Sequence, residues 1–337
     1  MKVPCVRVAR EDGERTREAL AERDLLDHDH EITVADGWLY APVVDPDAVP
    51  EGYTIEERDV PARETRTMPA DLLGFDPSYE RLGDIVLLRE DATAARGEAD
   101  REDDVGRARQ VADAVMDSSI PAKTVLNRAS KVEGEFRTRE WDVLAGHSTE
   151  TVHREYGCEF ALDVAEVYFS PRLATERRRV TQQAAADERI VDMFAGVGPF
   201  AIPFAERGAQ VIAVDRNPVA IEYLRENARR NDVDERIEAI EGDVREVAAG
   251  IEGETDRLVM NLPHSADAFL DTAIELAGEE CVLHYYDIQH EDDPYGPGER
   301  AIRAAAEGYE VTVETRHTVR SYAPHELNVC LDVRLRA

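Results

Sequence analysis

Val191-Asp192-Met193-Phe194-Ala195-Gly196-Val197-Gly198-Pro199-Phe200 decides the fold. Its first half reads as a buried strand, its second half is a glycine turn, and a helix pattern follows. Glycine has no Cβ, so backbone at Gly196 and Gly198 can come close to a ligand. Working outward, Val211-Ile212-Ala213-Val214-Asp215 is a second buried run that ends in a carboxylate, 17 residues after Gly198. A nucleotide-binding fold sets the acid that grips a ribose diol at about that distance. Met260-Asn261-Leu262-Pro263 then places an amide and a rigid proline at the end of a later strand. Parallel α/β sheets bind ligands outside the carboxyl ends of their strands, so the three stretches predict one site.

Gly196, Gly198 and Ala201 also fit G-x-G-x-x-A, so a nicotinamide-binding reading stays open. Three features oppose it. Asp192 would sit poorly beside a pyrophosphate but suits a cation such as the amino acid end of S-adenosylmethionine. Pro199 removes a backbone donor that a phosphate would want. Asn261-Leu262-Pro263 has no part in hydride transfer. A purely structural glycine turn is the third reading.

The chain has 337 residues and a formal net charge of −32. Its only lysines are Lys2, Lys123 and Lys131, and the acids are spread rather than gathered in a tail. This pattern resembles proteins of salt-accumulating halophilic archaea. At 1 M salt the Debye length is about 3 Å, so such self-repulsion is tolerated. Repulsion from nucleic acid also fades, and with it the counterion-release gain. RNA remains a possible partner, recognised by shape, stacking and bidentate arginine contacts. No run of about 18 apolar residues predicts a membrane span. Met1-Lys2-Val3-Pro4 lacks the apolar stretch of a signal peptide, so a cytoplasmic protein is expected. Cys5, Cys158, Cys281 and Cys330 form no C-x-x-C pair and read as buried free thiols, with no metal site.

Residues 1–45 read as a small α/β unit: a strand at 5–8, a helix pattern over 10–26, and a hairpin of 31–34 with 38–43 turning at Asp36-Gly37. Residues 46–70 read as a linker with room for one short strand. A middle accessory domain, 71–160, carries strands at 85–88, 124–126 and 137–143, an acidic loop or helix start over 92–104, and a helix over 107–116. A further strand is expected over 159–167 and a helix over 176–184. The remainder, 161–337, alternates strands and helices, which predicts an α/β, Rossmann-like, mostly parallel sheet covered on both faces. Strands expected at 309–315 and 327–335 form an antiparallel edge.

Within that sheet Asp215 is the candidate ribose ligand. Asn217-Pro218 supplies the following helix with its own cap, which frees Asp215. Arg216 lies along an adenine face or is solvated. Asp243, with Val244, accepts from the adenine amino group or is a turn acid. Phe194 lines the pocket or packs in the core. Asn261-Leu262-Pro263 resembles the N-P-P-Y loop of methyltransferases that act on base nitrogens, with His264 in place of the aromatic. Tyr168-Phe169-Ser170-Pro171-Arg172 and Glu176-Arg177-Arg178-Arg179 gather arginines in an acidic chain. They form either a salt-bridged helix face or a phosphate and base-edge platform beside a carboxylate base. Arg137, Arg139 and Arg154 are further candidates.

With these residues in hand, the chain resembles the archaeal and eukaryotic tRNA (guanine-N1)-methyltransferase family that modifies the guanosine 3′ of the anticodon. The likeness runs nearly end to end, through Leu82-Gly83-Asp84-Ile85, Phe136-Arg137-Thr138-Arg139-Glu140, Val167 to Leu173, Glu176-Arg177, Val191 to Phe200, Asp243 to Val247, Met260 to Pro263, His284-Tyr285-Tyr286 and Ser321-Tyr322-Ala323-Pro324. The resemblance implies a class I methyltransferase sheet, S-adenosylmethionine as cofactor, tRNA as partner and a flipped target base. It also implies an N-terminal domain that checks the tRNA outer corner, a monomer, and help from a divalent ion for which no protein cage is seen. By the same resemblance Glu176 is the general base and Arg137 stabilises charge on O6. Asn261 and Pro263 position the base and the cofactor, Tyr168 and Arg172 contact the guanosine, and Arg177 contacts the cofactor. The related aminocarboxypropyltransferases of wyosine synthesis share fold and cofactor, and an RNA-binding module without catalysis is the remaining reading.

Overall fold

The computed structural model describes residues 2–63, 66–89, 101–130, 134, 136–251 and 255–337. The chain divides into two compact units, 1–72 and 73–337.

The first unit is a four-stranded antiparallel sheet. Its elements are β1 (Lys2–Ala9), α1 (Gly13–Ala21), β2 (Thr33–Ala35), β3 (Trp38–Pro42) and β4 (Thr54–Asp59), in sheet order β2-β3-β1-β4. Asp36 and Gly37 turn the β2–β3 hairpin with φ of 52° and 83°, the double left-handed geometry of a tight hairpin. One expectation changes here. The helix stops at Ala21, because Asp24 turns left-handed and drops Leu25 and Leu26 into the core beside Leu20. The stretch 46–70 does carry one short strand, and that strand, β4, pairs with β1 from Lys2↔Asp59 to Arg7↔Thr54. A short helix, α2 (Pro69–Leu73), follows.

The second unit opens with a sheet of order β5-β6-β7-β8: β5 (Tyr79–Leu82), β6 (Ile85–Leu88), β7 (Thr124–Arg128) and β8 (Trp141–Ala145). The helix α3 (Arg101–Asp117) connects the parallel pair β6 and β7, and buries Ala108, Val111, Ala112 and Val115 against them. Of the acidic stretch 92–104, residues 92–100 lie outside the described residues. The strand expected from Arg137 starts only at Trp141, because Arg137 has a left-handed φ of 55°. A hairpin of β9 (Glu150–Glu155) and β10 (Cys158–Asp163) comes next, turning at Tyr156-Gly157. The strand expected over 159–167 ends at Asp163, whose carboxylate and carbonyl accept from Ala165 and Val167 and curl the chain. The helix α4 (Ala174–Thr181) leads into the large sheet.

That sheet comprises β11 (Arg189–Asp192), β12 (Gln210–Asp215), β13 (Ile237–Glu241), β14 (Thr255–Met260), β15 (Ala277–His290), β16 (Glu310–Ala323) and β17 (Glu326–Arg336). Between them run α5 (Ala201–Glu206), α6 (Pro218–Arg230), α7 (Val244–Val247), α8 (Leu270–Leu276) and α9 (Gly296–Ala305). The order is β13-β12-β11-β14-β15-β17-β16, with β17 antiparallel to both neighbours and the other adjacent pairs parallel. Alternate residues feed opposite cores: Ile190, Val211 and Val259 enter one, Val191, Ile212 and Leu258 the other. The inner runs Ile190–Val191, Val211–Val214 and Leu258–Met260 are therefore continuously apolar, as both faces are covered, while the edge strands β13 and β16 carry polar residues. Asn217 caps α6, its side-chain oxygen accepting from Val219 N at 3.0 Å, with Pro218 at the first helical position. The fully buried Asn227 accepts from Ala161 N at 2.7 Å and donates to the Val197 carbonyl at 3.0 Å, tying β10 and the glycine turn to α6. No described helix is long and apolar enough to cross a membrane.

Candidate functional site

The carboxyl ends of β11, β12, β13 and β14 open on one cavity of about 680 Å³. Phe194, Gly196, Asp215, Arg216, Asp243 and Val244 line one half of it. Arg137, Tyr168, Arg177, Asn261 and Pro263 line the rest. Four expected residues stand back from its wall: Arg172, Glu176, Asp192 and Gly198. A larger cleft, about 1100 Å³, lies beside β9, β10 and α6; it holds the candidate Arg154 with Gly83 and Asp84, but none of the residues expected to bind the cofactor or the guanosine.

The two glycines do different work. Gly196 has a φ of 53°, and a Cβ there would meet only the Tyr168 carbonyl oxygen, at 4.0 Å. Its absent side chain leaves the cavity open. A Cβ on Gly198, φ 91°, would press on Ile202 at 3.0 Å and Leu224 at 3.4 Å, so that glycine lets helices pack close. Asp215 stabilises the turn as well as facing the cavity: its carboxylate accepts from Gly196 N at 2.7 Å and Asn217 N at 2.9 Å. Burial still raises its pKa.

Asp192, 1% exposed, lies beneath the turn. Neither carboxylate oxygen has a partner at full hydrogen-bonding geometry, and burial pushes the group up to about 7 against a smaller pull from the Phe194 amide. An orphaned buried carboxylate under a loop that opens on a cavity fits a cationic ligand group. Asp243 differs. Arg245 grips it, from Nε at 2.9 Å and Nη2 at 2.5 Å, and holds it down to about 2. It caps α7 through Arg245 N and remains an acceptor on the cavity wall. Phe194 packs edge-on to Phe269 at 4.9 Å, so it is both wall and core.

In the other half, the Arg137 guanidinium stands over the Tyr168 ring at 5.6 Å. His264 meets Tyr322 edge-on at 5.2 Å, and burial with the nearby Arg137 charge lowers its pKa, favouring the neutral ring. Arg177 reaches the wall from the interior. It is 2% exposed and donates to Glu155 at 2.8 and 2.5 Å and to the Ser170 carbonyl at 3.1 Å. Arg172 points elsewhere, to Glu80.

Glu176 is the farthest from expectation. Its carboxylate is turned inward, where Arg179 donates at 2.7 and 2.8 Å and Tyr286 at 2.8 Å, with His317 Nε2 at 3.2 Å. Arg179 passes the charge pattern to Asp332 at 2.5 Å, His284 follows at 2.7 Å, and Arg257 bridges His284 to Glu188. Burial alone would raise Asp332, but His284 and Arg179 outweigh it and hold it far below the usual range. His284, Cys330 and Asp332 form the one group among the described residues close enough to share an ion, yet Asp332 is committed to His284, Arg179 and Gln183. Sequence reading missed Glu155, Tyr286 and Asp332. His284-Tyr285-Tyr286 belonged to the resemblance but suggested no partner for Glu176.

This sheet order, with ligand-gripping groups at the strand ends and a glycine turn after β11, defines a class I S-adenosylmethionine-dependent methyltransferase fold. A model described as the TRM5/TYW2 methyltransferase domain matches residues 151–314, and those of the tRNA methyltransferase 5 and TYW2 N-terminal domains match 5–51 and 65–149. The chain belongs to the TRM5/TYW2 methyltransferase family. It is similar to the tRNA (guanine(37)-N(1))-methyltransferase Trm5b of Pyrococcus abyssi, 39% identical over 98% of each chain. It is similar to the solved complex of aTrm5 with tRNALeu, with a TM-score of 0.69 and 32% identity over 98% of this chain and 99% of that one. TYW2 of Methanocaldococcus jannaschii, solved with AdoMet, is more distant, with a TM-score of 0.60 and 27% identity over 77% of this chain and 99% of that one.

Proposed function

We propose that this chain is a tRNA (guanine(37)-N1)-methyltransferase. The observation that carries the reading is the continuity of one cavity from the Gly196–Asp215–Asp243 end to the Arg137–Tyr168–Asn261 end. A nucleoside cofactor and a flipped base can thus meet without crossing a wall.

When bound, S-adenosylmethionine supplies a sulfonium methyl group, which leaves sulfur as its bond to guanine N1 forms. Asp215 and Asp243 accept from the ribose hydroxyls and the adenine amine, and Asp192, set beneath the glycine turn, supplies negative charge for the ammonium end. The N1 proton must leave, and Glu176 takes it as general base once its carboxylate swings from Arg179 and Tyr286 toward the cavity. Arg137 donates to O6, where negative charge gathers as N1 is deprotonated, in the manner of an oxyanion hole. Tyr168, 39% exposed with Arg137 over its ring, offers a stacking face. Asn261 and Pro263 fix acceptors beside N1 on a turn that loses little entropy on binding.

The test is methyl transfer from methyl-labelled cofactor, at molar salt, to unmodified tRNA transcripts with G or A after the anticodon. Label on the G transcript alone is expected. No methyl label, with transfer from carboxyl-labelled cofactor, would instead assign aminocarboxypropyl transfer.

A further inference from the structure

Asn328 is 3% exposed, lines the cavity, and has no hydrogen-bond partner for its Oδ1. An amide oxygen buried in this way is costly to the free protein, so its partner is missing rather than superfluous. It belongs to none of the motifs that suggested the site.

Its place in the sheet says which ligand it faces. Asn328 pairs with Ile288 of β15 on one side and Arg320 of β16 on the other. Its strand, β17, is three strands from β11, about 14 Å at normal strand spacing. The groups suited to the cofactor stand on β11, β12 and β13, so Asn328 borders the substrate half. Arg320 marks the way in. Shifts of register between Thr318 and Arg320 and between Ser321 and Ala323 bracket it, and bulges of this kind re-aim side chains. Arg320 lines both the cavity and a neighbouring recess that also holds Arg128, Arg137, Arg139 and Arg172 around one carboxylate, Glu80, which pairs with Arg128 and Arg172 and leaves the arginines in excess. In a chain of net charge −32, such a recess is suited to a phosphate backbone. A nucleotide whose backbone lies there presents its base past Arg320 to Asn328.

We propose that Asn328 Oδ1 reads the Watson–Crick edge of the flipped guanine, accepting from the 2-amino group beside N1. This rests on the guanine-methylating reading above. The complement of a guanine N–H is a neutral acceptor, which Asn supplies without placing a second charge beside the reacting nitrogen.

The test compares wild type, Asn328→Leu and Asn328→Asp, full chains at molar salt, on tRNA transcripts with G or inosine after the anticodon. Asn328→Leu keeps the shape and removes the acceptor. It should lose about 10- to 100-fold in kcat/KM on the G transcript, with cofactor Kd unchanged and a thermal midpoint equal to or above wild type. Asn328→Asp retains an acceptor and should recover part of the loss. Inosine lacks the 2-amino group, so its transcript should be indifferent to Asn328→Leu; an equal loss on inosine overturns the assignment. Full activity of Asn328→Leu overturns the proposal. So does a loss accompanied by a lowered midpoint or weaker cofactor binding, which marks a structural residue. A wild type inactive on G would instead overturn the methyltransferase reading.

Discussion

Tyr286 donates its phenolic proton to Glu176 Oε1 at 2.8 Å, and both side chains are buried. The carboxylate proposed as general base is thus stored inside the fold, with Arg179 closing on it from the same helix. Storage and catalysis should separate by mutation. Glu176→Gln is expected to lower kcat by about 10²- to 10⁴-fold, the usual contribution of a general base, with tRNA and cofactor affinities retained. Tyr286→Phe removes one bond to a buried charge and should destabilise by roughly 1–3 kcal/mol in denaturant melts with a smaller effect on kcat. An undiminished kcat in Glu176→Gln would make the carboxylate purely structural.

Glu155 and Arg177 form a second buried pair, joined by two hydrogen bonds, and Arg177 in turn holds the Ser170 carbonyl. Burial alone would raise Glu155, but the Arg177 contact outweighs it and lowers the pKa. Removing one partner leaves the other charge stranded, which costs more than the pair is worth. Glu155→Ala is expected to destabilise the second unit by about 3–5 kcal/mol, read as a lower urea midpoint. A double change to similarly sized apolar residues should recover stability but not activity, since the segment Tyr168–Ser170 then loses its anchor.

The large sheet was legible because its inner strands β11, β12 and β14 carry apolar runs between glycine and capping signals, and Asn217-Pro218 marked the start of α6 correctly. What escaped was set by distant partners. The strand β4 is an edge strand with charged residues on both faces, so no alternation advertised its pairing with β1. The β9–β10 hairpin turns on Tyr156-Gly157, which lacks the usual Asn-Gly or Asp-Gly signature. At the site, the residue types that suit a nucleoside and a base were readable as motifs. Side-chain direction was not: Glu176 points inward because Tyr286 and Arg179 take it there. Asn328 carries its meaning only through the bond it lacks.

Gly83 joins the middle sheet to the β9–β10 hairpin: its N–H donates to His153 Nδ1 at 3.2 Å, and Asp84 N donates to Thr151 Oγ1 at 3.2 Å. Its φ is 58°, and a Cβ would collide with Thr151 and the Val152 carbonyl. The carbonyl belongs to a paired strand and cannot move aside cheaply. Gly83→Ala should therefore destabilise by roughly 2–4 kcal/mol, combining left-handed strain with overpacking. Gly157, with φ of 100° but open space around it, should cost less when changed to Ala. Equal chemical denaturation midpoints for the two variants would refute the packing argument.

The net charge of −32 carries its own test. Between 0.1 M and 1 M salt the Debye length falls from about 10 Å to about 3 Å, which quenches repulsion among surface acids but leaves buried pairs such as Glu155–Arg177 largely intact. The thermal midpoint should rise steadily across that range in KCl and in NaCl alike. A midpoint that is flat or falls with salt would mean that the acidic surface contributes no net repulsion to the fold.

Seating the cofactor's ammonium end beside Asp192, as proposed above, would make cofactor binding a proton-linked event. Its carboxyl is held up at about 7 against an unperturbed 3.8, so the folded state binds the proton more tightly than the unfolded chain. Its stabilising contribution is therefore complete below pH ~4 and lost as pH rises through about 7, at most roughly 4 kcal/mol in all. A cation seated beside it reverses the preference and favours the ionised form. Binding of S-adenosylmethionine near pH 6 should then expel close to one proton, and its Kd should fall as pH rises from ~5 to ~7. Titration calorimetry in two buffers of different ionisation enthalpy reads the proton directly. Asp192→Asn, which keeps the shape and cannot ionise, should bind more weakly at pH 8 and show no such pH dependence. If wild type releases no proton, or the variant releases the same number, the cation is not at Asp192.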